Sequence, residues 1–189
     1  LELMPNAPIE PYQVPVHNKW LLVFGNHALP PGLAPVAQND SYKLVRINNK
    51  RRIIGNAHLN QPTGPGSLLA GVEGLSSIEE FGRWSDAKQV VLHFNAPLPK
   101  HAVVVFKAWA YGDNTERPFT MRIGDSSVPF RLSGSPQEIG LHFDTDGTQR
   151  SLAIEVPHPV SPQEYGDPRD PRKLGIALAD IEISTPVAN

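Results

Sequence analysis

Ala102-Val-Val-Val-Phe-Lys-Ala-Trp-Ala-Tyr111 is the run that decides the fold. Every second position gives Val104, Phe106, Ala108 and Ala110, all apolar, as the inner face of a packed sheet requires. The alternate positions are Val103, Val105, Lys107, Trp109 and Tyr111. A lysine marks that second face as outer, and two large aromatics share it. The period of two predicts a β-strand with a dry side and a mixed, aromatic side.

The same alternation surrounds it. Val90, Leu92 and Phe94 share one parity upstream. Downstream come Phe119, Met121 and Ile123, then Val128, Phe130 and Leu132, then Ile139, Leu141 and Phe143, then Leu152, Ile154 and Val156. Gly112-Asp-Asn114, Gly124-Asp125 and Asp144-Thr-Asp-Gly-Thr148 are the turns between them. Pro129 has no N–H for a ladder, so its strand is expected at a sheet edge or a bulge. The last strand, over residues 174–183, changes parity at Ala179-Asp180, which predicts a bulge. Before it lies a long loop, residues 157–171, with five prolines. No segment holds a helical period. Short half-buried strands at steady spacing predict an all-β fold, an antiparallel two-sheet β-sandwich.

The 20 prolines and 15 glycines of this 189-residue chain suit turns, not helices. Many of the prolines fall before residue 40, where they favour extended backbone. Within that segment Lys19-Trp-Leu-Leu-Val-Phe24 is expected to be a strand docking onto the main domain and burying Trp20. Tyr42-Lys-Leu-Val-Arg-Ile47, the turn Asn48-Asn49 and Arg51-Arg-Ile-Ile54 read as a hairpin. Thr63-Gly-Pro-Gly-Ser67 marks the boundary. It separates residues 1–66, a proline-rich accessory segment with short strands, from residues 67–189, the sandwich.

Gly74-Leu-Ser-Ser-Ile-Glu-Glu-Phe-Gly-Arg-Trp-Ser-Asp86 links the loose opening to the regular strands. Ser77 and Glu80 have capping-box spacing, so one helical turn is expected over residues 78–81. Gly82 would end it at positive φ, with Arg83-Trp84-Ser85 leaving extended.

Composition excludes several classes. A net charge of -2 with 19% charged residues gives no electrostatic footprint for nucleic acid or an anionic membrane. No cysteine is present, so there is no disulfide framework or thiolate site. No apolar run approaches the ~20 residues that span a bilayer, so no membrane insertion by this chain is expected. The start lacks a basic segment followed by an apolar one, so no signal peptide is read there, and the chain is expected to be a piece of a larger protein. The seven histidines show no metal-site spacing, and no nucleophile elbow, Walker loop or dinucleotide fingerprint occurs. Asp144, Asp146 and Gly147 resemble a loose calcium loop, but the downstream bidentate glutamate is missing. No cofactor and no metal is therefore expected. Carboxylates such as Glu79, Glu80, Asp113 and Glu116 suit capping and turns better than a glycosidase pair.

Four blocks carry a family resemblance: Gly82-Arg-Trp-Ser85, Ala96-Pro-Leu-Pro-Lys100, Ala110-Tyr-Gly-Asp-Asn114 with Arg117-Pro118, and Pro171-Arg-Lys-Leu-Gly-Ile176. In that order they resemble the C-terminal domain of bacterial phosphoglycerol transferases, membrane-anchored enzymes that decorate osmoregulated periplasmic glucans. Similar modules end other envelope glycan-processing proteins. The match runs over residues 70–184 and leaves residues 1–66 without a family. It implies a sandwich of the galactose-binding-like or jelly-roll sort on the periplasmic side. It implies no catalysis by this chain, because in that family the transfer chemistry belongs to a separate alkaline-phosphatase-like domain. The partner implied is a periplasmic glucan or a neighbouring catalytic domain.

Sugars are held by aromatic faces with polar side chains at the rim. Trp109 and Tyr111 share the outer parity with Lys107, and Asp113, Asn114 and Arg117 follow, so these six are the candidate glycan-binding residues. Arg83, Trp84, Glu80 and Arg172 are structural or rim residues. The plain structural account makes Trp84 a core plug, whose loss would cost about 3–5 kcal/mol. It also pairs Arg83 or Arg172 with Glu80 or Asp113, and it makes the whole chain a rigidifying module without a ligand.

Overall fold

The structure is a computed structural model that describes residues 20–25, 34–46, 51–167 and 169–187. The chain divides into two compact units, Leu1–Asn49 and Lys50–Asn189. The division therefore falls earlier than the expected boundary at residue 66.

The first unit carries a three-stranded antiparallel sheet of β1 (Trp20–Phe24), β2 (Pro35–Gln38) and β3 (Tyr42–Arg46), in the order β1-β3-β2. Pro35 opens an edge strand, where a missing N–H costs least. Trp20, expected to be buried, is 51% exposed. It lies at the end of β1, whereas Val23 and Val45 are the buried residues of this sheet.

The second unit is an all-β, antiparallel two-sheet sandwich. One sheet has the order β10-β9-β12-β7-β5, built from β5 (Leu69–Glu73), β7 (Gln89–Phe94), β9 (Phe119–Ile123), β10 (Ser126–Phe130) and β12 (Ser151–Glu155). The other has the order β11-β8-β13-β4, with β4 (Arg51–His58), β8 (His101–Ala110), β11 (Gln137–Asp144) and β13 (Ile176–Pro186). The two-residue strand β6 (Arg83–Trp84) adds to β13. Residues 51–54 thus belong to the sandwich and, among the described residues, form no hairpin with residues 42–46. β4 pairs with β13, while β3 pairs with β1 and β2. The physical reason is that β13 continues to Pro186, past the expected end at residue 183, and its second half takes the eight-residue β4 as partner. The expected Asn48-Asn49 turn lies outside the described residues.

The alternation read from the sequence is the packing. Val104, Phe106, Ala108 and Ala110 are all buried, facing Val90, Leu92 and Phe94 of the opposite sheet in one core. Phe106 of β8 meets Phe130 of β10 edge-to-face at 5.2 Å, and Phe130 stacks on Phe119 at 5.4 Å. Each such side chain contributes about 1.5–3 kcal/mol by leaving water. Pro129 sits on β10, an edge strand as expected. The register of β13 against β8 shifts between Leu178 and Asp180, where the parity change predicts it. That bulge keeps Ile181 and Ile183 inward, in line with Ile176 and Leu178.

Candidate functional site

The helical turn expected at residues 78–81 does not form. Residues 74–86 fold back on themselves as a narrow antiparallel excursion. Leu75 bridges Ser85, Ser76 N–H donates to the Trp84 carbonyl at 2.8 Å, and Glu79 and Gly82 exchange hydrogen bonds at 2.8 and 3.2 Å. The Ser77/Glu80 capping spacing loses to this ladder because β6 must run extended beside β13. Gly82 has φ +147°, and a Cβ there would lie 2.1 Å from the Leu178 carbonyl oxygen. Only glycine lets the excursion approach β13 so closely. Ser85 is buried; its N–H donates to the Ile176 carbonyl at 2.7 Å, and its Oγ accepts from Ile176 N–H at 3.0 Å.

This docking sets the register of a row across three strands. Trp84 lies opposite Ala177, and Ala177 lies opposite Trp109. With only a methyl between them, the two indoles meet edge-to-face at 5.9 Å. Trp84 is therefore no core plug. It is half-buried on the outer face of the β8–β13 sheet, beside Trp109. Phe81, from the tip of the excursion, lies 4.8 Å from Trp109 and 5.8 Å from Trp84. Tyr111 meets Trp84 at 5.6 Å, and Tyr165 meets Tyr111 at 6.1 Å. Five aromatics from distant parts of the sequence make one continuous outer face.

At the Tyr111 end the chain turns through a 3-10 helix, Gly112–Glu116. Asn114, a candidate for sugar contact, is fully buried there. Its Nδ2 donates to the Tyr111 and His158 carbonyls at 2.8 Å, and its Oδ1 accepts from His158 N–H at 2.9 Å. No face of this amide is left for a ligand; it pins the turn to the following loop. A second 3-10 helix, Pro162–Tyr165, is capped by Ser161 and Glu164 in a capping box. It brings the Tyr165 hydroxyl to Asp113 Oδ1 at 2.9 Å, and that hydrogen bond to the carboxylate raises the phenol above its ordinary pKa. Arg117 follows, exposed.

The three rim residues nearest the excursion also take partners other than those expected. Arg83 Nε donates to the Leu59 carbonyl at 3.1 Å. Arg172 donates to Glu79 Oε1 at 2.7 Å and to Asp170 Oδ2 at 2.6 Å. These two carboxylates raise its pKa, and Arg172 in turn lowers that of Asp170. Glu80 is exposed, and its backbone carbonyl accepts from Asn60 Nδ2 at 3.0 Å. So Glu79, not Glu80 or Asp113, anchors the proline-rich loop to the excursion.

At the opposite end of the aromatic face is an open groove of about 450 Å³. Phe81 and Trp109 form its apolar wall, with Lys107, Asn60 and Gln61 around them. His58 and Asp180, whose Nδ1 and Oδ1 lie 2.5 Å apart, also line it, with Pro136 and Ala179. The β13 bulge matters here: it turns Asp180 outward, directly between Lys107 of β8 and His58 of β4. Of the candidate residues, Trp109 and Lys107 reach this groove; Tyr111, Asp113 and Arg117 are not among its lining residues. Phe81, His58, Asn60, Gln61 and Asp180 are additions. The one signal for them in the sequence is the parity slip at Ala179-Asp180. The suspected calcium loop gives its carboxylates to other partners, Asp144 to His101 at 2.8 Å and Asp146 to Thr148 at 2.7 Å. Among the described residues no helix is long and apolar enough to cross a membrane.

The family comparison falls mainly on this same unit. The model of a family described as a domain of unknown function, DUF7024, matches residues 47–185. Phosphoglycerol transferase I of Salmonella choleraesuis (strain SC-B67) is 34% identical over 148 residues, covering 76% of this chain. The proteins of the same name from Salmonella paratyphi B and Salmonella typhi are each 33% identical over 148 residues and 76% of the chain. The chain spans only 19% of the length of these relatives. Among solved structures, a family 29 carbohydrate binding module aligns with TM-score 0.40 and 12% identity over 88% of each chain. A mutant of such a module gives 0.40 and 12% over 88% of this chain and 85% of that one. A likeness this slight carries no argument about a ligand.

Proposed function

The chain belongs to the DUF7024 family, and we propose that it is a non-catalytic module of a periplasmic phosphoglycerol-transferase-like protein whose outer aromatic face positions a glucan. The observation that carries this reading is the continuous row Phe81, Trp109, Trp84, Tyr111 and Tyr165, which ends in an open groove with polar side chains at its rim. Aromatic faces take the C–H surface of a sugar ring, while amides, carboxylates and ammonium groups bond its hydroxyls. The similarity to phosphoglycerol transferase I over a small share of that protein supports an accessory part in a larger chain. The transfer chemistry then belongs to another domain, and the membrane anchor to another segment.

Titrating β-glucans into the chain carrying Trp20→Phe, while following tryptophan emission, tests the reading. Trp84 and Trp109 are then the reporters, and a saturable change is expected. No change at millimolar sugar would remove the binding role. One observation favours a purely structural module: the aromatics pack on one another, and Asn114 and Arg172 spend their polar groups internally. That module predicts a flat titration together with a stability loss when either tryptophan is truncated.

A further inference from the structure

The geometry points to a specific subsite for a neutral sugar: the groove at the Phe81–Trp109 end of the aromatic face, not the Tyr111–Arg117 end where the outer parity ends. This rests on the reading of the face as a glucan-positioning surface and says where, and in what charge state, the ligand sits.

Three observations converge. First, the groove combines an apolar wall, Phe81 and Trp109, with the exposed side-chain amide of Gln61; Asn60 beside it donates to the Glu80 carbonyl and accepts from Gln61 at 3.4 Å. Amides supply both donors and acceptors, which suits vicinal hydroxyls. The Tyr111 end offers less: the amide of Asn114 is fully enclosed. Second, the charges in the groove offset one another. Lys107 lies between Asp180 of β13 and Glu138 of β11, and Asp180 also holds His58, so no surplus of cations is left to select a phosphate or carboxylate. A phosphate site would instead present convergent Arg or Lys donors. Third, about 450 Å³ lies in the lower part of the ~300–1,000 Å³ range of small-molecule sites, room for roughly one or two sugar rings.

The bulge in β13 is the specificity device. Without the extra residue, Asp180 would follow Leu178 inward and the outer row would lack its carboxylate. With it, Lys107 and Asp180 stand side by side, donor beside acceptor, next to the Trp109 wall.

Isothermal titration of the chain with neutral β-linked glucotetraoses of differing linkage, and with glycerol phosphate, tests the subsite. Gln61→Ala and Lys107→Met remove exposed groups and leave the core intact, so both are expected to fold. Each is expected to weaken the bound tetraose about 3–10-fold, the worth of one hydrogen bond. Arg122→Ala, on the opposite sheet, is expected to leave affinity within twofold. If the unaltered chain binds a tetraose but Gln61→Ala and Lys107→Met match it, the subsite is wrong while the glucan-positioning role stands. Tighter binding of glycerol phosphate than of the tetraoses overturns the neutral class. If the unaltered chain binds no tetraose, the wider reading fails and the subsite with it.

Discussion

At the scale of single residues, the Gly82-Arg-Trp-Ser85 block shows how four neighbours divide the work of one docking event. Gly82 permits contact with β13, Arg83 holds the Leu59 carbonyl, Trp84 sits at the centre of the aromatic row and Ser85 closes the ladder with Ile176. Gly82→Ala combines a positive φ with a Cβ against backbone, so it is expected to lower stability by more than about 1 kcal/mol in urea unfolding. Trp84→Ala loses edge-to-face contacts on an outer face, so about 1–3 kcal/mol is expected rather than the larger cost of a core truncation. Asn114→Ala strands the His158 N–H and two carbonyls, and the same assay is expected to show a loss of about 1–3 kcal/mol. The identity of Trp84 as a large apolar group was legible in the sequence; its direction was not. A two-residue strand has no alternation to read, and its facing follows from which strand it pairs with.

Among elements, what was legible follows from the period of two. β7 to β12 and the first part of β13 announce their buried faces, and the bulge and the edge proline announce themselves as breaks in pattern. Only residues 51–54 of β4 were legible, as a hairpin arm, because Ile53 and Ile54 are adjacent and both exposed and its sequence shows no dry face. Misplacing β4 and missing its second half also hid the groove, since His58 ends it and Asn60 and Gln61 follow. The residues 157–171 loop reads as structureless from its prolines, yet it is tied down by Arg172 between Asp170 and Glu79. The Arg172 hydrogen bonds hold Asp170 below its ordinary pKa. A carboxylate with a depressed folded pKa contributes stability that is present above its unfolded pKa, about 3.9, and is lost as pH falls through the lower folded value. Thermal midpoints of the native chain are therefore expected to drop more steeply than those of Arg172→Met as pH falls below about 4. Parallel curves would show that this tether contributes nothing.

For the whole molecule, the division between Asn49 and Lys50 makes residues 50–189 the unit that carries both sheets, the aromatic face and the groove. A unit with its own two-sheet core is expected to fold alone, with one cooperative thermal transition and dispersed amide resonances. The same division explains why composition misplaced the boundary: the Thr63-Gly-Pro-Gly-Ser67 punctuation is a loop between β4 and β5 inside the sandwich, not a linker between units. Contact between a glucan and the outer face at Trp109 can be read from one kind of signal. Two-dimensional NMR of the three indole Nε1–H resonances, assigned by Trp→Phe substitution, follows Trp20, Trp84 and Trp109 as a neutral β-glucotetraose is added. A glucan on this face is expected to give a saturable shift that is largest for Trp109, smaller for Trp84 and absent for Trp20. Indole resonances that stay fixed, or a shift confined to Trp20, would contradict it.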